Sequence, residues 1–297
     1  MPEGWHASHM ATTKPAATRH PDNAPGEWFV DTSCINCGAA YSIKPGVFIE
    51  GPGQCVVAKQ PSTPDELMIA WRARVCCPTA SIHTEHPAQQ PPDLFPEHIT
   101  DTIYRLGYNA RASWGAHSFA VLRPGGHVMV DSPRWTQHVV AQFESWGGLA
   151  HVLLTHRDDV ADAGRYASHF GARVWIHEAD RDAAPFATDI FGGDESTTLF
   201  DGVEAIPLRG HTKGSAAFLF EQRHLFTGDS LFWDFEEHDL AAWQDIAWYS
   251  WDEQRRSLRR LLDHEFQWVL SGHGASYGLP AQEMRRRLAA LLERLAG

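Results

Sequence analysis

The sequence predicts an α/β protein whose sheets are covered by helices on their outer faces, preceded by a small cysteine-bearing unit. Three observations predict it. From about residue 100 onward, short apolar runs of strand character alternate with amphipathic stretches of helical character. All five cysteines fall between Cys34 and Cys77, leaving none in the 220 residues that follow. Between the two lies HTEHPAQQPPDLFPEH, His83 to His98, a Pro-rich polar stretch that suits a linker.

Taken in order, residues 1–26 are rich in Ala, Thr, Pro and His without periodicity and read as a disordered leader. This leader lacks a charged head followed by an apolar run, so no signal peptide and a cytoplasmic location are expected. Residues 27–84 form the cysteine-bearing unit, small enough that a bound cofactor would help it fold. The linker is drawn at 85–100 and a larger domain at 101–297, long enough for an ample core. A net charge of -12 argues against binding nucleic acid or an anionic membrane, either of which calls for a basic face. No apolar run reaches the roughly 18 residues that a membrane span needs.

Within the larger domain the strand candidates are SFAVLRP, HVMVDSP, AHVLLTH, ARVWIHE, VEAIPLRGH, AAFLFEQ, HLFTGD and FQWVLSGH. Helices are predicted over Trp135 to Trp146, Ala161 to Phe170, Asp252 to Asp263 and Pro280 to Leu295. Ser250 and Glu253 form an S-x-x-E capping box at the start of the third. The arginine-rich faces of the last two read as solvated helix sides.

Several strands stop at a histidine or aspartate: His156 after VLLT, His211 after PLRG, Asp229 after LFTG and His273 after VLSG. One such residue is usually an ordinary surface group; four in this order point to chemistry. Imidazole and carboxylate are the ligands of zinc, iron or manganese, and one aspartate can bridge two ions. Two metals could then activate water and clamp both oxygens of a displacement.

On LLTH, LRGHTKGSAAFLF, LFTGDSLF and VLSGHG, residues from about 100 to 297 resemble the metallo-β-lactamase superfamily. The resemblance implies an αββα sandwich with the metal site along one edge of the two sheets. It also implies His156, His211, Asp229 and His273 as ligands, Asp229 being the bridge. The family's opening H-x-H-x-D-H is altered here, with Asp158 where the second His belongs. A strict count puts Val160 and Ala161 at the Asp-His pair; a register two residues longer pairs Asp162 with Ala163. The longer register is favoured because Asp158 and Asp162, four apart, would share a helix face. Site one is then His156, Asp158, His211 and Asp229, and site two Asp162, Asp229 and His273 with a vacancy at Ala163. Asp159 is read as an acid that favours the helix N-terminus.

In the first unit, CINC supplies Cys34 and Cys37, and CCP supplies Cys76 and Cys77. Residues 28–82 resemble a single-cluster ferredoxin, implying a small α+β fold and a cubane held by thiolates. The middle cysteine of that pattern is Ala40 in this chain. Cys34, Cys37 and Cys77 would hold a [3Fe-4S] cluster, or a [4Fe-4S] cluster with an open or substituted corner, with Cys76 or Cys55 as the substitute. A four-thiolate zinc site and a scaffold without cofactor are the competing readings.

Trp233, Trp243, Trp248, Tyr249 and Trp251 follow the Asp229 loop, either as an aromatic wall selecting an apolar or aromatic small molecule or as core. His117 and His177 are read as residues near the site or as hydrogen-bonded surface groups. Three functions are weighed. The first is a hydrolase in which a metal-bound hydroxide attacks a carbonyl or phosphoryl centre, with Asp158 or Asp162 as base if not ligating. The second is a non-haem iron oxidoreductase served by the iron-sulfur unit and a redox partner, since carboxylate for His resembles the flavodiiron proteins, although no flavin domain follows. The third is a non-catalytic metal- or partner-binding protein.

Overall fold

The structure is a computed structural model that describes residues 18–296. Most of the expected leader, residues 1–17, lies outside the described residues. The rest of it is packed: Asn23 is buried, its Oδ1 accepts from the Val30 and Val57 amides, and its Nδ2 donates to the Val30 carbonyl. That side chain joins two segments of the cysteine-bearing unit in place of a strand, so residues 18–26 belong to that unit.

The unit has a core of its own, built on Trp28, Val47, Phe48, Val57, Ala70, Trp71 and Ile82. A hairpin, Phe48–Glu50 with Cys55–Val57, and helix α1, Pro64–Cys76, supply most of it. Helix α1 starts at a reciprocal capping box, Thr63 accepting from the Glu66 amide while Glu66 accepts from the Thr63 amide, with Pro64 at the first turn. Leu94 and Phe95, expected in the linker, pack into this same core. Glu97–Thr100, also assigned to the linker, is instead the edge strand of the next domain.

That domain holds two sheets. The first has seven strands in the order Asp189–Phe191, Arg173–His177, His151–Leu153, Val128–Val130, Phe119–Val121, Ile103–Arg105 and Glu97–Thr100. The second has six, in the order Thr197–Phe200, Val203–Pro207, Ala216–Phe220, His224–Gly228, Trp268–Ser271 and Tyr277–Gly278. All eight strand candidates lie in these sheets.

Facing side chains such as Phe119, Val128, Leu153, Phe218, Phe226 and Leu270 fill the space between the sheets. Helices α2, Gln137–Trp146, and α3, Ala163–Phe170, cover the outer face of the first sheet through Val140, Phe143, Tyr166 and Ala167. Helices α4, Trp251–Leu258, and α5, Ala281–Arg294, cover the second through Leu258, Met284, Leu288 and Leu292. Central strands buried on both faces explain why VLL, FLF and WVL read as unbroken apolar runs. The domain is an αββα sandwich. At α4 only half of the expected box forms: Ser250 accepts from the Glu253 amide, while Glu253 pairs with Arg256. No helix among the described residues is long and apolar enough to cross a membrane.

Candidate metal centre

His156, Asp229 and His273 each follow the C-terminal end of a strand, and His211 lies in the loop after Val203–Pro207. The Ala216 amide donates to the Thr155 carbonyl at 2.9 Å, so the two sheets are tied beside His156 and the four strand ends form one edge. His156 and His211 meet with ring centroids 4.6 Å apart. Asp229 Oδ2 lies 3.8 Å from His156 Nε2 and 3.5 Å from His211 Nε2. Asp158 Oδ2 lies 3.4 Å from His211 Nε2 and 3.9 Å from His156 Nε2. Donors bound at about 2.0–2.2 Å to one tetrahedral ion stand about 3.4 Å apart, close to these spacings.

The ring nitrogens are prepared for this. His211 Nδ1 donates to the Ile246 carbonyl, leaving the Nε2 lone pair free. His156 Nδ1 lies 3.0 Å from Thr155 Oγ1, which in turn donates to the buried Asp131 carboxylate. Burial pushes His156 down to about 4 and Asp131 up to about 8. Burial alone would raise Asp229, yet the imidazoles of His273, His156 and His211 hold its carboxyl well below the usual range.

Asp159 is the acid that sequence reasoning misplaced. Its carboxylate is 1% exposed and its Oδ1 lies 4.0 Å from His156 Nε2. Burial, then Asp229, Asp131 and Asp158, push it well above the usual carboxylate range. A Cβ on Gly272 would lie 2.9 Å from Asp159 Oδ2 and 3.0 Å from Asp229 Oδ1, so glycine there lets both acids approach. His156 Nε2, His211 Nε2 and both Asp159 oxygens are buried without a hydrogen-bond partner. His156, Asp158 and His211 form one group with atoms within 4.8 Å, and His156, Asp159 and Asp229 a second.

Asp162 does not join them. Residues 156–162 form turns, not helix, so the four-residue spacing from Asp158 does not put the two acids on one face. Asp162 precedes α3 and accepts from the Trp135 amide at 2.7 Å. Ala163 points into the apolar core beneath α3 and is no vacancy in a metal site. His273 is beside the cluster with both nitrogens engaged: Nδ1 lies 2.9 Å from each Asp229 oxygen, and Nε2 lies 3.4 Å from the Trp114 carbonyl.

Asp180 is a supporting residue with no sequence signal. Fully buried, it accepts from the Arg157 amide, the Thr212 hydroxyl and the Gly214 amide, joining the loops that carry His156 and His211. His177 accepts from the Ala179 amide and so caps the turn that holds Asp180. His117 is buried, its Nε2 paired with Ser42 Oγ at 2.9 Å and its amide donating to the Gly272 carbonyl. Of the aromatic segment, Trp233 is core, stacked on Tyr277, whereas Trp248 is exposed with its ring 6.2 Å from His211. Trp114, 57% exposed, is adjacent to His273 through its backbone carbonyl.

In the first unit, burial pushes the Cys34, Cys37 and Cys55 thiols up, and each of the three also senses the charge of nearby Cys77. Cys76, expected among the ligands, is fully buried and senses Arg105, Glu97 and Arg134 ahead of Cys37. Successive residues in a helix point about 100° apart, so Cys76 and Cys77 face different directions where α1 ends.

A family model described as the 4Fe-4S single cluster domain of Ferredoxin I matches residues 30–84. No curated protein matches the chain. Solved structures with the same fold include DIM-1 metallo-beta-lactamase exposed to ceftazidime, 19% identical over 67% of this chain and 95% of that one, with a TM-score of 0.51. TMB-1 is 18% identical over 68% and 97%, TM-score 0.52. A metallo-beta-lactamase from Erythrobacter litoralis is 15% identical over 67% and 95%, TM-score 0.50. A second family model, Metallo-beta-lactamase superfamily, matches residues 97–292, well over half of the chain. With its two-sheet sandwich and its His and Asp residues gathered at one sheet edge, the chain belongs to the metallo-β-lactamase superfamily.

Proposed function

We propose that the protein is a metal-dependent hydrolase of small molecules. One observation carries this reading: four buried donor atoms, on His156, His211 and Asp159, lack any hydrogen-bond partner and face a common space with Asp158 and Asp229. Leaving such groups unpaired costs about 1–3 kcal/mol each, and a cation removes the cost. His156, Asp158, His211 and Asp229 would hold a first ion. Asp159 takes the position expected of Asp162, and with Asp229 would hold a second. His273 must give up a hydrogen bond before it can ligate, which favours single occupancy.

When bound, a divalent zinc or iron ion supplies Lewis acidity and lowers the pKa of coordinated water. The chain does the rest. Asp158, half exposed at the mouth, is held ionised by the close approach of His211, the form that a ligand needs, and would serve as base only where it does not ligate. Exposed Trp248, its ring 6.2 Å from His211, favours a substrate with an apolar or aromatic part.

A second reading, a non-haem iron oxidoreductase, is favoured by the contact between the two units. A Cβ on Gly115 would meet Cys37 Sγ at 2.8 Å, and the preceding residue, Trp114, offers its carbonyl to His273. An iron-sulfur cluster at Cys37 would therefore lie about two residues of chain from the metal centre.

Metal and acid-labile sulfide analysis of anaerobically purified protein separates the readings, paired with hydrolysis of thioester, lactam and phosphodiester panels. Zinc at the site with turnover abolished in Asp229→Ala supports the hydrolase. Iron in excess of sulfide, without hydrolysis, supports the oxidoreductase. Stoichiometric site metal in Asp229→Ala sinks the ligand assignment.

A further inference from the structure

The ferredoxin pattern lacks its middle cysteine, and Ala40 stands there with its side chain buried in the unit's apolar core. The hairpin Phe48–Glu50 with Cys55–Val57 lies over the loop that carries Cys34 and Cys37. It is fastened there by Asn36 Nδ2 donating to Glu50 Oε1 at 2.9 Å and by Gln54 Nε2 donating to the Cys34 carbonyl at 3.2 Å. Glu50 is the register partner of Cys55, so these two bonds bracket Cys55 and hold it against the loop.

Two amides point at these sulfurs: the Asn36 amide donates to Cys34 Sγ at 3.4 Å and the Ser81 amide to Cys77 Sγ at 3.2 Å. Amide donors aimed at sulfur favour the thiolate, the form that binds iron, against the burial that raises the Cys34 and Cys37 thiols. Among the described residues no three of these sulfurs lie within 4.8 Å of one another. A tetrahedral zinc site, with Zn–S near 2.3 Å, needs its sulfurs about 3.8 Å apart.

We propose that Cys55 supplies the fourth thiolate of an iron-sulfur cluster held by Cys34, Cys37 and Cys77, replacing from the hairpin the ligand missing at Ala40. Cys76 stays outside the cluster as a buried thiol. The assignment rests on the iron-sulfur reading of this unit and specifies which residues close the site.

The test compares wild type, Cys55→Ser and Cys76→Ser, each full length and reconstituted anaerobically with ferrous iron and sulfide. Iron, labile sulfide and EPR spectra of the oxidised and dithionite-reduced forms are read. Wild type and Cys76→Ser are expected to hold about four irons and four sulfides, silent when oxidised and EPR-active when reduced. Cys55→Ser is expected to drop to a three-iron cluster, EPR-active when oxidised, or to lose the cluster. Cys76 is the more deeply buried thiol, so generic damage from a core substitution would strike Cys76→Ser at least as hard. A four-iron cluster retained in Cys55→Ser overturns the assignment, as does loss from Cys76→Ser, whether or not Cys55→Ser also loses it. Wild type that takes up zinc or nothing, with no sulfide, overturns the iron-sulfur reading itself and the assignment with it.

Discussion

Replacing Asp159 with Asn should change stability in opposite directions with and without metal. In metal-free protein the Asp159 carboxylate is buried, has no hydrogen-bond partner and faces Asp229, Asp131 and Asp158. Asparagine keeps the shape and needs no proton, whereas native Asp159 must hold one that the unfolded chain releases at neutral pH. Each unit by which the folded pKa is raised costs about 1.4 kcal/mol there, so chelated Asp159→Asn should gain roughly 1–3 kcal/mol at neutral pH, net of the unpaired amide that replaces the carboxyl. For a domain of this size that is about 2–10 °C in Tm.

The pH dependence has a definite sign. The folded pKa of Asp159 is raised, so the native state holds a proton that the unfolded chain releases, and stability falls as pH rises above the unfolded value near 4. The gain in Asp159→Asn should therefore vanish near pH 4 and grow toward neutrality. Protein loaded with the second ion as well should show the reverse effect, because losing the Asp159 ligand weakens binding of that ion by at least about 100-fold, or 2.7 kcal/mol. Thermal melts of chelated and reconstituted protein at pH 4 and 7 read all four cases. Chelated Asp159→Asn melting below chelated wild type at pH 7, with an undiminished metal-induced shift, would refute the reasoning.

Two neighbouring substitutions test the register of the same loop. Asp162→Ala should leave metal stoichiometry unchanged by elemental analysis while lowering stability by about 1 kcal/mol, since the bond to the Trp135 amide and an exposed ion pair with Arg165 are lost. Ala163→His should add no second ion and should destabilise by about 1–3 kcal/mol in denaturant titrations, because the imidazole enters the core between α3 and the first sheet.

The sandwich was legible in the sequence because its central strands are buried on both faces and announce themselves as apolar runs ending in His or Asp. Edge strands carry no such signal. Glu97–Thr100 is half covered and follows a Pro-rich stretch, so it read as linker. Helix α1 escaped notice because its apolar residues do not form one stripe, and its cap Thr63 lies among prolines. At the site, His156, His211 and Asp229 were recognisable from their motifs. The acids after His156 were not, since choosing Asp159 over Asp162 requires knowing that the chain turns there before any helix begins. Asp131 and Asp180 act through Thr155, Arg157 and Thr212, contacts between segments distant in sequence that no local pattern encodes.

The segment from Asn109 to His117 ties the two units to one another. One end of it presses Gly115 against Cys37, His117 reaches across to Ser42, and the same few residues offer a carbonyl to His273 and an amide to Gly272. Transplanting either unit onto another chain would strip a buried imidazole of its partner and open the wall behind the metal centre. The chain can drift in sequence at its surfaces, but its two halves must change together at this seam.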